Sequence, residues 1–311
     1  MRILVVGAGG VGGYFGGRML AAGRDVRFLV RPARAVALAR AGLVVRSPHG
    51  DVSIPSPPAV TADALTEPVD LVLLSCKAYD LDSAMDAFAP AVGADTVILP
   101  LLNGMRHLDA LDARFGAARV LGGECKISAV LDADGHVLHL NRVHRVAFGE
   151  RTGGRSTRTA AIEAQMAGAG FESACSERIL QEMWEKWAFI ATGAGATCLL
   201  RATIGDIVAA GAERVVHGLT DECSAIAAVN GYRPSDDAVE RTRAMFTLAG
   251  SPLTASMFRD IESKARIEGD HIIGDLLARG GDVANYPLLR LVYAHLRTYD
   301  ARRAREAAPS V

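Results

Sequence analysis

The stretch MRILVVGAGGVGGYFGGRMLAAGRDVRFLVR, Met1 to Arg31, decides the fold of this 311-residue chain. It opens with the uncharged apolar run Ile3–Val6, which is typical of a strand buried on both faces of a sheet. Glycines then follow at G-x-G-x-x-G spacing, and the next segments predict a helix over residues 14–22 and a second strand over residues 26–30. This order of strand, turn, helix and strand predicts a dinucleotide-binding unit.

The glycines explain how this turn would bind a pyrophosphate. The first permits a tight turn, the second lets the backbone approach the phosphates, and the third lets the helix pack against its strand. The helix N-terminus then presents N–H groups and a partial positive charge to the anion. A glycine-rich turn that only packs is the alternative, but the complete unit around it favours binding. The predicted cofactor-binding loop consists of Gly7, Ala8, Gly9, Gly10, Val11 and Gly12.

The residue after the second strand predicts which dinucleotide is bound. An NAD site places an acidic residue there to accept a hydrogen bond from the ribose 2′-hydroxyl, whereas an added 2′-phosphate favours arginine. This chain has Arg31, with Arg34 three residues later. We therefore expect NADPH as the cofactor. The alternative is that the two arginines are only a solvated surface pair.

Composition restricts the class of partner. Half of the residues are hydrophobic, 22% are charged and the net charge is −1, so the chain can build a large core. The near-neutral charge argues against nucleic acid or an anionic membrane as the main partner. No apolar run in the helical half approaches the roughly twenty residues that a bilayer requires. No signal peptide precedes the first strand, and the five cysteines lack a C-x-x-C pair, as expected for a cytoplasmic protein with reduced, mostly buried thiols.

The alternation of strands and helices ends at about Cys175. Before it, apolar runs at residues 69–76 and 96–102 are each followed by a helical pattern, residues 43–54 predict a hairpin, and three later strands are expected between residues 125 and 148. After it, every predicted element is a helix, including one over residues 257–277, and the tail from Arg302 is expected to fray. The expected fold is α/β, with an N-terminal doubly wound sheet over residues 1–177 and a C-terminal all-helical domain over residues 178–311.

Two polar residues follow buried strands. Lys77 closes the run LVLLSCK, and Asn103 closes TVILPLLN. Because ligands of an open α/β sheet lie beyond the carboxyl ends of its strands, both residues are candidates for holding a nicotinamide and an anionic substrate. The alternative is that each is only a polar group that ends a strand.

No metal site is expected. The one faint candidate consists of His136, His139 and His144, which lie in a strand-like region without an accompanying cysteine or carboxylate pattern. We interpret them as surface histidines.

Six segments together resemble the ketopantoate reductase family. They lie in the same order as in the family and cover nearly the whole chain: GAGGVGGYFG, SCKAYD, LLNGM, MWEKWAF, TASMFRDIESKARIEGDHIIGDLL and YPLLRLVYAHL. The resemblance implies a Rossmann-type domain joined to a helical domain, with NADPH and substrate bound in the cleft between them. It also implies reduction of 2-dehydropantoate to pantoate, a step of pantothenate and coenzyme A biosynthesis.

The resemblance also assigns roles to individual residues. Lys186, in the segment WEK, matches the catalytic lysine, which would donate a proton to the ketone oxygen as hydride reaches the carbon. Glu268 matches an acid on a later helix that would keep this lysine oriented. Ser256 and Asn103, with Lys186, match residues that bind substrate. Lys77, Asn103 and Glu268 match residues that face the cofactor.

One departure from the family concerns the substrate. The family commonly has asparagines one turn after the lysine, one turn further and about ten residues on, where this chain has Ile190, Ala194 and Ile204. Because buried polar groups of a substrate would go unpaired, losing these amides changes which substrate fits. Either the substrate is less polar than 2-dehydropantoate, or the amides are replaced by Thr192, Thr197 or Arg201.

Three hypotheses stay open. The first is an NADPH-dependent reductase of 2-dehydropantoate, and the second is a reductase of another, more apolar 2-oxo acid. The third is a dinucleotide-binding sensor that keeps the fold without turnover, against which Lys186, Ser256 and Glu268 argue. Apolar helices in the second domain are compatible with a homodimer.

Overall fold

The computed structural model describes residues 1–307. Contacts within the chain divide it into two compact units. The first contains residues 1–102 and 107–179, and the second contains residues 103–106 together with the described residues from 180 onward. The four-residue segment that begins at Asn103 therefore packs with the second unit, although it follows a strand of the first.

The first unit is a mixed α/β domain with two sheets. Its helices and strands, in chain order, are β1 (Ile3–Val6), α1 (Gly10–Ala21), β2 (Val26–Leu29), α2 (Pro32–Ala41), β3 (Leu43–Arg46), β4 (Val52–Ile54), β5 (Ala59–Val60), β6 (Leu71–Leu74), α3 (Leu81–Phe88), β7 (Val97–Pro100), α4 (Arg106–Phe115), β8 (Gly122–Leu131), β9 (Val137–Gly149), α5 (Thr157–Met166) and β10 (Glu172–Cys175).

The first sheet is parallel throughout, in the order β5-β2-β1-β6-β7. The chain places its first strand at the centre and then adds strands on both sides, which is the Rossmann-type arrangement. Every residue of β1, β6 and β7 is buried, in agreement with their uncharged sequences. The expected N-terminal doubly wound sheet is therefore confirmed.

The second sheet follows the order β10-β9-β3-β4, and β8 pairs with β9. The predicted hairpin is confirmed as β3 and β4, which pair antiparallel. The prediction of three later strands was wrong, because the last two are one strand, β9. Within β9, the Asn141 side chain accepts a hydrogen bond from the Ser128 N–H over 3.0 Å, at the point where the β8–β9 register shifts.

Helix α1 begins at Gly10, four residues earlier than the apolar pattern predicted. Glycine is a poor helix former, but it lets this helix lie close to the sheet. A Cβ built on Gly16 would come within 2.7 Å of the Phe28 ring. The buried face of α1 packs against strands of both sheets and forms the centre of the core of the first unit. Tyr14 and Phe15 on α1 are fully enclosed.

The second unit is helical, as expected. Its main elements are α6 (Ile179–Leu200), α7 (Ile204–Ala209), α8 (Glu213–Val229), α9 (Asp236–Phe246), α10 (Ser256–Glu262), a π-helix (Asp270–Gly274), α11 (Asp275–Arg279) and α12 (Pro287–Ala307). α8 packs on α9, α11 and α12. The core of the second unit contains four side chains that are each at most 1% exposed: Trp187, Leu219, Ile226 and Leu296.

The single helix predicted over residues 257–277 is interrupted. α10 ends at Glu262, Lys264 has a left-handed φ of 57°, and the chain resumes only as the π-helix. The carbonyl groups freed by this break are satisfied by α12: Tyr299 Oη donates to Ala265 over 2.7 Å, and Arg303 Nε donates to Lys264 over 3.1 Å. A local apolar pattern does not contain these tertiary contacts, so it predicted a continuous helix.

Three further sequence expectations concern the C-terminal tail, the cysteines and membrane-spanning helices. α12 continues through Arg302 to Ala307, so the tail does not fray there, and residues 308–311 lie outside the described range. The five cysteines are free, and burial raises the pKa of Cys198 and Cys223 to about 12, which makes these thiols unreactive at neutral pH. Within residues 1–307, none of the helices has both the length and the apolarity that crossing a bilayer demands.

Candidate active site

The glycine loop lies between β1 and α1, where its spacing predicts it. Gly7 has a φ of +95°, which disfavours any side chain, and its N–H donates to the Leu29 carbonyl over 2.9 Å. Gly12 contacts the loop itself, since a Cβ built there would come within 2.1 Å of the Gly7 carbonyl oxygen and 2.2 Å of Ser75 Oγ. Ser75, just after β6, donates to the Val6 carbonyl over 2.9 Å and so supports the loop from the side.

Gly9 faces open space, unlike its neighbour Gly10. Nothing lies within 4 Å of the position that a Cβ on Gly9 would take, whereas one on Gly10 would come within 2.5 Å of the Ala129 carbonyl oxygen. Gly9 also directly precedes α1, whose first turn contains no acidic residue. An approaching phosphate would therefore find room and a helix N-terminus at the same point, and the loop fits the pyrophosphate of a dinucleotide.

Both arginines after β2 are held by neighbouring groups. Arg31 forms an ion pair with Asp80 over 2.8 Å while its side chain stays 70% exposed. Arg34, on the first turn of α2, donates from Nε and Nη2 to the Ala8 carbonyl oxygen at 3.2 and 3.0 Å. Burial lowers the pKa of Arg34. Arg34 therefore contacts the glycine loop, and Arg31 presents an exposed charge just beyond β2.

Lys77 is exposed and lies three residues beyond β6, before a short 3₁₀ turn. Gly7, Arg31 and Lys77 follow β1, β2 and β6, which are adjacent parallel strands. The carboxyl ends of parallel strands meet at one edge of the sheet, where such folds bind their ligands. The structure therefore gathers these three predicted cofactor residues at one edge.

Lys186 lies on α6 next to a pair of buried indoles. It is half-buried, whereas Trp184 and Trp187 are 3% and 1% exposed, and their rings lie 5.0 Å apart. Trp187 Nε1 donates a hydrogen bond to the Ile272 carbonyl over 2.9 Å. Because Ile272 belongs to the π-helix, this bond fastens the helix that carries Lys186 to the segment that follows Glu268.

Glu268 does not lie on a regular helix, contrary to expectation, because the predicted helix is interrupted around it. It is 9% exposed and comes just before the π-helix. Its backbone carbonyl accepts hydrogen bonds from the N–H groups of His271 and Ile272 at 3.1 and 2.9 Å, which fixes the start of the π-helix. Single π-helical turns are often found at functional sites.

Asn103 and Gly104 lie against the same π-helix. The imidazole of His271 donates a hydrogen bond to the Asn103 backbone, and a Cβ built on Gly104 would come within 3.1 Å of both Cδ2 and the carbonyl oxygen of His271. Gly104 has a φ of +76°, which favours glycine for a second reason. Sequence reasoning missed His271, because the local signal is one histidine in an apolar helical pattern.

Ser256 is exposed at the first position of α10. The residue before it, Ala255, donates its N–H to Thr197 Oγ1 over 3.4 Å, and the same hydroxyl donates to the Gly193 carbonyl over 2.7 Å. α6 therefore contacts the start of the short helix that carries Ser256. The predicted substrate residues Lys186, Asn103 and Ser256 all belong to the second unit.

The positions where the family has asparagines are apolar and largely enclosed. Ile204 is fully buried, Ala194 is 4% exposed and Ile190 is half-buried. The polar residues considered as replacements are already engaged with other groups: Thr192 donates to the Ala188 carbonyl, Thr197 makes the two bonds described above, and Arg201 pairs with Glu262. The side chains at these three positions therefore offer no hydrogen bond, and the three polar candidates to replace them already have partners.

Two of the three histidines interpreted as surface residues are buried. His139 and His144 are 6% and 9% exposed, because the strand β9 that carries them lies against α1. Burial lowers the pKa of both imidazoles. His136 is half-buried in the turn after β8, where its Nδ1 lies 3.1 Å from a carboxylate oxygen of Asp132.

Comparison with protein families identifies both halves of the chain. The model described as ketopantoate reductase PanE/ApbA matches residues 3–153, and the model of the C-terminal domain of the same family matches residues 178–300. The two matches together cover most of the chain and correspond to the parallel-sheet domain and to the helical domain that contains Lys186 and Glu268.

Individual proteins are similar over nearly their full lengths. YkpB of Bacillus subtilis (strain 168), an uncharacterized oxidoreductase, is 38% identical over 307 residues, which are 97% of this chain and 100% of that one. The crystal structure of 2-dehydropantoate 2-reductase from Geobacter metallireducens GS-15 superposes with a TM-score of 0.87 at 29% identity, covering 96% and 99% of the two chains. A D-mandelate dehydrogenase solved with NADH and anilino(oxo)acetate shares the fold, with a TM-score of 0.86 at 21% identity over 98% and 100% of the chains. This chain belongs to the ketopantoate reductase family of oxidoreductases.

Proposed function

We propose that this protein is an NADPH-dependent reductase of 2-oxo acids, and that its first candidate substrate is 2-dehydropantoate, reduced to pantoate. The observation that carries this proposal is the arrangement around the π-helix of the second unit. The segments that bear Lys186, Glu268 and Asn103 all attach to that one π-helix. Membership of the ketopantoate reductase family supports the same reaction class.

The first unit would hold the cofactor. Gly7 to Gly12 would receive the pyrophosphate at the start of α1, where Gly9 leaves room for it. Arg31 and Arg34 would pair with the 2′-phosphate that distinguishes NADPH from NADH. Lys77 at the same sheet edge would contact the cofactor. NADPH supplies the hydride in this class of reaction.

The second unit would complete the reduction. As the carbonyl carbon gains hydride, negative charge develops on its oxygen, and a positioned donor lowers the barrier. The ammonium group of Lys186 would donate the proton to that oxygen, with Glu268 keeping the lysine oriented. Asn103 and Ser256 would hold the substrate's polar groups through their amide and hydroxyl.

A second substrate class is favoured by the apolar positions on and after α6. Ile190, Ala194 and Ile204 offer no hydrogen bond from their side chains, and the nearby threonines are engaged with helix carbonyls. A 2-oxo acid with an apolar side chain would lose less here than one with a hydroxyl group, because no polar group of the substrate would go unpaired. We therefore infer that branched or aromatic 2-oxo acids are the strongest competitors of 2-dehydropantoate.

The test is NADPH oxidation over a panel of 2-oxo acids that contains 2-dehydropantoate, its analogue without the hydroxyl group, and an aromatic 2-oxo acid. Highest kcat/KM on 2-dehydropantoate supports the first substrate, and highest kcat/KM on an apolar acid supports the second. Tight NADPH binding without oxidation by any acid of the panel would overturn the proposed reaction and favour a sensor.

Replacing the proposed proton donor tests the mechanism separately. Lys186→Ala should lower kcat by about 10² or more, with NADPH affinity little changed, because only the proton donor is removed. Arg178→Ala, which removes an exposed cation just before the same helix, serves as the control. Near-normal turnover in Lys186→Ala would refute the assigned role.

A further inference from the structure

The π-helix Asp270–Gly274 is attached on several sides. Trp187 of α6 donates to the Ile272 carbonyl, and Tyr293 Oη of α12 donates to Asp270 Oδ1 over 2.7 Å. Arg297 of α12 forms an ion pair with the same aspartate over 3.2 Å. These attachments fix the position of the π-helix within the second unit, so a side chain on it can serve as a fixed support for a neighbouring loop.

His271 is the side chain of the π-helix that meets the Asn103–Gly104 turn. It is 7% exposed, it donates a hydrogen bond to the Asn103 backbone, and its ring lies in contact distance of Gly104. Gly104 lies four residues beyond β7, has a left-handed φ and has no side chain with which to pack, so the contact from His271 can stabilise the turn. The position of the Asn103 side-chain amide therefore depends on the position of the Asn103 backbone.

We propose that His271 is a positioning residue that fixes the Asn103–Gly104 turn and thereby places the Asn103 side chain for binding. The kinetic part of this proposal rests on the proposed reductase function, whereas the structural part does not. His271 would not touch the reacting atoms. It would act through the backbone of Asn103, and its N–H donor would be the group that matters.

The charges around His271 allow it to donate as a neutral ring. Burial lowers its pKa, while Glu268 and Asp275 raise it to a smaller extent and Arg106 lowers it. The net shift is downward, so at neutral pH the ring carries one N–H, which is enough to donate to the Asn103 backbone. A neutral amide donor of similar reach should therefore replace it.

The structural part is tested by hydrogen exchange of the free protein, followed by mass spectrometry on the peptide that covers residues 103–105. In His271→Leu the exchange of this segment should accelerate by about tenfold or more. Loss of one hydrogen bond to a buried backbone group changes the local opening equilibrium by about this factor. His271→Gln, which keeps a donor, should stay within about threefold of the parent. If His271→Leu does not fold, His271→Phe keeps a ring without the N–H donor and takes its place.

The matched control is Tyr293→Phe, which removes a different attachment of the same π-helix. It should leave exchange at residues 103–105 and the kinetic constants unchanged. Unchanged exchange in His271→Leu, or equal acceleration in Tyr293→Phe, would overturn the positioning role, because the turn would then depend on other contacts.

Kinetics on the best 2-oxo acid supply the second readout. His271→Leu should raise KM for the acid and lower kcat/KM by about tenfold or more, since misplacing a binding group by a fraction of an ångström is costly. His271→Gln should recover most of that loss. If His271→Leu and His271→Gln have equal thermal stability, a merely structural role of His271 would not explain this recovery. Accelerated exchange with unchanged kinetics would overturn the role of Asn103 in binding, whereas absence of activity in the parent protein would count against the reductase proposal alone.

Discussion

The indole Nε1 of Trp187 lies 2.9 Å from the carbonyl oxygen of Ile272, and both residues are less than 5% exposed. Trp187→Phe would keep most of the apolar volume but leave this carbonyl without its donor. The free energy of unfolding should fall by about 1 kcal/mol, the net contribution of one lost hydrogen bond. Urea denaturation of the variant and the parent measures the difference.

Trp184→Phe is the control for this prediction. Trp184 is also buried, and its ring stacks on Tyr232 with centroids 5.7 Å apart, so the substitution removes comparable aromatic area. If the bond to Ile272 matters, Trp187→Phe should lower kcat as well, because α6 carries Lys186, whereas Trp184→Phe should not. Equal kcat in both variants would contradict this link.

The loop glycines allow cofactor binding to be separated from stability. A Cβ on Gly12 would meet the Gly7 carbonyl oxygen and Ser75 Oγ at 2.1 and 2.2 Å, so Gly12→Ala should destabilise the fold by about 2 kcal/mol or more and abolish dinucleotide binding. A Cβ on Gly9 would meet nothing within 4 Å, so Gly9→Ala should keep thermal stability. It should still weaken dinucleotide binding, because the methyl group would occupy the space left for the phosphate. Unchanged fluorescence titration of NADPH in Gly9→Ala would show that the pyrophosphate lies elsewhere.

Arg31 and Arg34 should differ in what they contribute. Arg31→Ala removes an exposed charge and should weaken NADPH binding by about tenfold to a hundredfold while leaving NADH binding unchanged. Arg34→Ala removes the two bonds to the Ala8 carbonyl and should weaken both cofactors, because the loop itself is disturbed. Titrations with both dinucleotides decide the matter. Tighter binding of NADH than of NADPH by the parent protein would end the expected preference.

Local sequence predicted the first unit well because its signals are local. The run Ile3–Val6, the glycine spacing and the buried runs of β6 and β7 each contain enough information to place a strand or a turn. The continuity of β9 was missed, because β9 is held by pairing with β8, β3 and β10, which a local pattern does not contain. The prediction failed where contacts with residues distant in sequence determine the backbone conformation.

The candidate site shows the same limit. Resemblance predicts roles for Lys186 and Glu268, but the helix expected around Glu268 is interrupted, and α12 satisfies the carbonyl groups of Lys264 and Ala265 there. His271 could not be found from spacing, because its partner Asn103 lies far away in sequence and the contact is to backbone. A family pattern predicts which residues have a role. It does not predict the contacts that position those residues in a given chain.

A buried carboxylate in β8 should depend on one lysine. Glu124 is 2% exposed, and among residues 1–307 neither of its carboxylate oxygens has a hydrogen-bond partner, while Lys126 Nζ lies 3.4 Å away. Lys126→Met would leave the buried carboxylate without this partner, and the free energy of unfolding should fall by about 1–3 kcal/mol, the cost of leaving a buried polar group unpaired. Adding Glu124→Gln should recover most of this loss in a double-mutant cycle. A Lys126→Met variant as stable as the parent would show that the ion pair contributes nothing.

The buried histidines of the first unit should make its stability depend on pH. His144 Nδ1 shares a 2.8 Å hydrogen bond with Tyr14 Oη, and the His49 ring stacks on His144 with centroids 3.7 Å apart. Burial lowers the pKa of His144 from 6.5; His49, Arg18 and His139 lower it further, and Glu172 opposes them. As pH falls below 6.5, the unfolded chain therefore takes up protons that the folded protein does not, and the free energy of unfolding decreases.

His144→Gln removes this titration and keeps a polar partner for Tyr14. The fall in unfolding free energy between about pH 6.5 and 5 should therefore become shallower, while stability above pH 7 changes little. Tyr14→Phe is the matched control, because it removes the hydrogen bond and keeps the imidazole, so it should lower stability without flattening the pH dependence. Urea denaturation at intervals of pH measures both. An unchanged slope in His144→Gln would mean that other groups, such as His139 or the carboxylates, carry the pH dependence.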